Sequence, residues 1–158
     1  MNLRVFGVLG PLPLLLLALP FTAPSESAAQ AALSLAAAER AAGAAQAEAE
    51  ANNWKVTIVI TDADGVPVLV RRLDGASARS FDFAMGKAQT VIAAGMSTAD
   101  YVAGVAAGTV TAIPDATAIP GGVPIRIGDT IVGAIAASGV RPDQDLQVAD
   151  AGAAAFQP

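Results

Sequence analysis

The chain of 158 residues contains no histidine and no cysteine, and only 4% of it is aromatic. Without cysteine there are no disulfides, no thiolate metal sites, no cysteine nucleophile and no lipid-modified N-terminal cysteine. Without histidine the usual general base near neutral pH and the commonest transition-metal ligand are also gone. Ser-His-Asp and Cys-His catalysis are therefore excluded by composition alone. Large aromatic clusters are excluded too, and much of the 54% hydrophobic content is alanine, which implies helices that approach closely through small side chains. An excess of positive charge is missing as well: the net charge is −5 and the pI near 4.4. The dispersed Lys and Arg give no electrostatic case for nucleic acid or for anionic lipid.

What is present begins with an export signal. Arg4 supplies a positive start, Val5 to Phe21 is apolar, Pro20 breaks the run, and small residues follow. Ser27-Ala28-Ala29 and Ala29-Gln30-Ala31 both satisfy the small-x-small rule of signal peptidase. The reading is a secretory signal peptide over 1–31, cleaved after Ala31 or Ala29, and a single domain over 32–158. The mature protein is then periplasmic or extracellular and has no stable membrane anchor. Arg4 and Glu26 leave together, so the mature charge stays near −5.

The remainder alternates between helical and strand patterns. Ser34 caps an alanine-rich helix reaching Asn52, with Leu35, Ala38, Ala42, Ala45 and Ala49 on one apolar face. Trp54 to Thr61 and Val66 to Leu73 form a hairpin around Asp64-Gly65, whose residues tolerate the positive φ of a tight turn. Ser77 to Ala94 is helical, with Phe81, Ala84, Ala88, Val91 and Ile92 on a shared face and Gly95 as its stop. Ser97-Thr98-Ala99-Asp100 caps a short helix through Tyr101 and Val105, and 107–122 reads mostly as loop. Val123 to Ile127 and Thr130 to Ala137 pair through Gly128-Asp129, and Arg141-Pro142-Asp143 opens a last helix. This order predicts an α+β domain: an antiparallel sheet of about four to five strands with helices packed against it.

Asp62-Ala63-Asp64-Gly65 starts like a calcium loop, but no further acidic ligand follows before Asp74, so it is a turn. Arg71, Arg72 and Asp74 close the second strand, either as a solvated strand end or as a pocket mouth where a guanidinium fork holds a carboxylate. Gly121 and Gly122 are open to two readings, a backbone cradle for an anion and a tight entry into a strand, and the second is favoured. Lys87 lies on the helix, where a lysine is ordinarily solvated.

Four blocks occur in a telling order: Arg71-Arg72-Leu73-Asp74-Gly75-Ala76, Lys87-Ala88, Gly121-Gly122-Val123-Pro124-Ile125, and Gly133 to Gly139. Together they resemble the GlcG/HbpS family of small α/β domains, over about residues 33 to 157. Leu73 stands where the family often has Met, and Ala136 where Gly is commoner. The resemblance implies a non-catalytic binding protein for haem or a related anionic tetrapyrrole, with Arg71, Arg72, Asp74, Lys87, Gly121 and Gly122 as candidate ligand-binding residues. In the family the Lys-Ala pair lies beside the presumed pocket, which makes Lys87 a candidate anion contact. With neither His nor Cys, iron ligation would fall to Met85, Met96, Tyr101 or a lysine, each of which also has an ordinary packing or surface role. Relatives form oligomers, and a sheet edge marked by Pro67 or Pro124 offers surface for self-association. The alternatives the family implies are an enzyme or accessory in glycolate- or diol-type metabolism or haem degradation, and a sensor accessory acting through protein contacts.

Overall fold

The structure, a computed structural model, describes residues 33–158; the signal peptide expected over 1–31 lies outside the described residues. Helix α1 (Leu35–Ala51) starts where expected, because the Ser34 hydroxyl accepts the amide of Ala37 at 3.2 Å. Strands β1 (Thr57–Asp62) and β2 (Pro67–Arg72) form the first hairpin. Its turn is held by an Asp62 carboxylate oxygen that accepts the amides of Asp64 and Val66, and Gly65 takes the positive φ. Helix α2 (Arg79–Ala94) stops at Gly95, which is left-handed at φ 69°. Ser97 caps α3 (Thr98–Ala106), accepting the amide of Asp100 at 3.1 Å. Strands β3 (Gly122–Ile127) and β4 (Thr130–Ser138) make the second hairpin, and Pro142 opens α4 (Pro142–Ala154).

The sheet is antiparallel with the order β2-β1-β4-β3. It has four strands; the fifth of the expected range is absent from the described residues. Both edge strands carry a proline, Pro67 and Pro124, at positions where a missing N–H does not break an inner ladder. Side chains alternate between faces. Ile58, Ile60, Ile125 and Ile135 enter one core with the alanines of α1 and with Val148 and Ala149 of α4. Val59, Ala134 and Ala136 enter a smaller core with Ala84, Ala88 and Val91 of α2. The sheet is thus covered on both sides.

Small residues set the spacing of these layers. A Cβ at Gly152 of α4 would stand 3.0 Å from the Ala41 carbonyl and 3.1 Å from Ala45 Cβ of α1. Two expected face assignments are corrected. Leu35 is 58% exposed, and α1 instead buries Ala37 and Ala41 beside Ala38, Ala42, Ala45 and Ala49, because it meets both the sheet and α4. Phe81 is also exposed, because α2 turns Ser80, Ala84, Lys87, Ala88 and Val91 inward. The sheet offers that helix Thr57, Thr61, Ala134 and Ala136, a surface too closely approached for a phenyl ring.

Candidate ligand-binding site

Arg71 and Arg72 are neighbours on β2, so the pleat sends them to opposite faces. Arg71 pairs across the ladder with Ile58, and its Nη1 donates to Gln46 Oε1 of α1 at 3.0 Å. Arg72 pairs with Thr57, and its Nε and Nη2 donate to the Ala76 carbonyl at 3.0 and 2.7 Å. Each guanidinium has more N–H donors than these bonds use. Around them, where α1 ends and β1 begins, lies an open cleft of about 390 Å³. Its walls include Glu50, Trp54, Lys55 and Asp74 as well as both arginines. The cleft therefore unites three cations with two carboxylates beside the only tryptophan of the chain. Lys55 is held over Gly75, where a Cβ would sit 3.5 Å from its Cγ, and Gly75 meets this close approach with a φ of +84°.

Sequence reasoning singled out Arg71, Arg72 and Asp74 in this cleft and missed Gln46, Glu50, Trp54 and Lys55. A signal for two of these was available. In an antiparallel hairpin the residues before the first strand lie beside those after the second, which puts Trp54 and Lys55 next to Leu73 and Asp74.

The other three candidates lie elsewhere. Lys87 is 1% exposed, and its ammonium donates to Asp145 Oδ2 at 2.7 Å and to the Ala137 carbonyl at 2.9 Å. An accessible anion contact is therefore not available from Lys87. Asp145 lies in the first turn of α4, and its other oxygen accepts the amide of Val140 at 3.2 Å. Burial holds the Lys87 ammonium below the usual lysine range and pushes the Asp145 carboxyl above the usual carboxylate range, each opposed by the hydrogen bond and charge of the other. Gly121 and Gly122 make room for this pair. A Cβ on Gly121, whose φ is +130°, would stand 2.6 Å from Lys87 Nζ and 2.8 Å from Asp145 Cβ. One on Gly122 would stand 3.0 Å from Val91 Cγ2 of α2. The conformational reading of the two glycines is the one the geometry supports: they bring α2 close to β3 and clear a passage for Lys87.

Of the residues considered as iron ligands, Tyr101 is 2% exposed and its hydroxyl accepts the Ile113 amide at 2.8 Å. Met85 and Met96 are partly buried on and after α2, and neither lines the cleft. Among the described residues no cluster of acidic groups could hold a metal ion, and no helix is long and apolar enough to cross a membrane.

The sequence profile described as "Haem degrading protein HbpS-like" matches residues 33–154. Among solved structures, a double mutant of HbpS from Streptomyces reticuli is 33% identical, with 89% of this chain and 99% of that one covered at a TM-score of 0.74. Klebsiella pneumoniae protein ORFY is 26% identical, with 78% and 90% covered at 0.71. A haem complex of PduOC shares the fold at 24% identity, with 80% and 96% covered at 0.73. No curated protein matches.

Proposed function

The chain belongs to the HbpS-like family, and from this premise we propose that it is a binding protein for haem or a related tetrapyrrole carboxylate. The observation that carries this reading is the cleft in which Lys55, Arg71 and Arg72 stand beside Trp54. The free guanidinium donors and the Lys55 ammonium suit carboxylate groups, because charge-assisted N–H···O bonds are roughly twice as strong as neutral ones. The Trp54 ring offers an apolar face to a flat macrocycle. Residues of the cleft thus fit the propionates and the ring. They include no imidazole and no thiolate for iron, so affinity rests on the organic periphery of the ligand. When bound, haem would supply redox chemistry, and the part of this chain is to hold and shield it.

Trp54 is the only tryptophan, so its quenching reports tetrapyrrole binding to the domain, and loss of that quenching in Arg72→Ala assigns the binding to the cleft. Titration with haem and with metal-free protoporphyrin should quench Trp54 with affinities within a few-fold of each other, with a Soret shift for haem. No quenching by either ligand overturns the reading. Quenching by haem only would move the main contact to iron and overturn the periphery-based account. We further propose that the protein is exported and acts as a homo-oligomer, in keeping with the signal-like leader and the small size of the domain.

A further inference from the structure

A second recess opens at the same end of the sheet, where α2 begins and β4 finishes. Ser77, Arg79, Ser80, Phe83, Ser138 and Val140 line a volume of about 280 Å³. Hydroxyl groups make its floor. Ser80 donates to the Ser77 carbonyl at 2.6 Å, which leaves its oxygen to accept from Thr57 at 2.7 Å. Ser138 pairs with Thr57 across the β1–β4 ladder and is only 7% exposed. Its hydroxyl has no hydrogen-bond partner among the described residues, and it borders the recess. That hydroxyl is therefore free to donate to an acceptor placed in the recess.

The rim adds donors of two further kinds. Helix α2 has Ala78 at its N-cap, so no side chain caps it. The amides of Ala78 and Arg79 have no acceptor among the described residues. The Arg79 guanidinium sits 5.5 Å above the Phe83 ring, which orients the fork without using any of its N–H groups. Of the acids at this end, Asp143 is held by Arg141 and Asp145 by Lys87. Only Asp82, in the first turn of α2, competes for the helix N-terminus.

We propose that this recess binds a small organic carboxylate. Its carboxylate meets the first amides of α2, the Ser138 hydroxyl and the Arg79 fork, where the helix dipole also favours negative charge. Its carbon tail lies against Phe83 and Val140. The recess shares no lining residue with the cleft, so the two sites can be tested separately.

Two-dimensional amide NMR of the purified protein, titrated with propionate and lactate and separately with phosphate at matched ionic strength, tests this assignment. Saturable shifts at Arg79 and Gly139 are expected with the carboxylates. Arg79→Gln should weaken binding about tenfold, the loss of a charge-assisted hydrogen bond, and Ser138→Ala by a smaller factor. An unchanged amide pattern in β1 and α4 verifies that the variants fold. If no saturable shift occurs at these amides, or if both variants titrate like the parent, the site is overturned. Saturation by phosphate but not by either carboxylate overturns the ligand class. Trp54 reports the tetrapyrrole cleft separately, so failure of either site leaves the other readable.

Discussion

The Lys87 ammonium and the Asp145 carboxylate, 2.7 Å apart and both buried, tie a helix on one side of the sheet to a helix on the other. Desolvation opposes such a pair, while removal of one member strands a charge. Asp145→Ala should therefore destabilise the protein by about 3–5 kcal/mol in urea unfolding, and the double variant Lys87→Met/Asp145→Leu by much less. The pH dependence of the single variant has a definite sign. The folded pKa of Lys87 lies below its unfolded value, so the native state releases its proton first. Stability then rises with pH between the folded value and the unfolded 10.5, and loss of Asp145 widens that window. The deficit of Asp145→Ala should shrink as the solution is made alkaline; a deficit that stays constant to about pH 10 would show that the lysine keeps its proton.

Two Gly→Ala substitutions should act in opposite directions. Gly121→Ala forces a Cβ against Lys87 and Asp145 at a positive φ. Overpacking and backbone strain each cost about 1–3 kcal/mol, so a large drop in melting temperature is expected. Gly43 lies inside α1, and a methyl group added there would have nothing within 4 Å. Gly43→Ala should stabilise by about 0.5–1 kcal/mol through helix propensity.

Arg72→Ala should weaken haem binding about tenfold or more, the value of one charge-assisted hydrogen bond to a propionate. Arg40→Ala is the control: its side chain lies on exposed α1 surface and donates to the Gln157 carbonyl, away from the cleft. Equal effects in a Soret titration would place the ligand elsewhere.

Protein recovered from the periplasm or medium should begin at Ala32 or Gln30 by mass spectrometry, according to which of the two small-x-small sites is cut. A full-length chain held in the membrane would replace export with anchoring.

Light scattering at micromolar concentration should give a mass above that of one chain. Val70 and Phe81 are exposed, so Val70→Glu and Phe81→Glu are the substitutions expected to lower it. A monomer in the parent protein would end the assembly proposal.

Element boundaries were legible wherever one residue carries the local chemistry: Ser34 and Ser97 as caps, Gly95 as a left-handed stop, Pro142 at a first turn. The orientation of α2 was not. Its periodicity admits a face through Phe81 or one through Lys87, and the sheet surface it meets decides between them. The burial of Lys87 was equally hidden, because its partner lies 58 residues further along. A lone lysine on an amphipathic helix reads as solvated until that distant carboxylate is in place. In the cleft, Arg71 and Arg72 were legible as chemistry but not as geometry. Their adjacency invites a shared clamp, whereas strand alternation separates them, and the α1 residues that complete the site arrive through tertiary packing.

The contact of α1 with α4 has a further consequence for how this protein tolerates change. Its facing positions are largely alanine, with Gly152 where the helices come closest. Alanine and glycine surrender almost no rotamer freedom on folding, so order in this layer costs little side-chain entropy. The usual hazard of a core, truncation that opens a cavity, has little to act on here. Damage comes instead from enlargement: a single added methyl group at Gly152 has to push two helices apart.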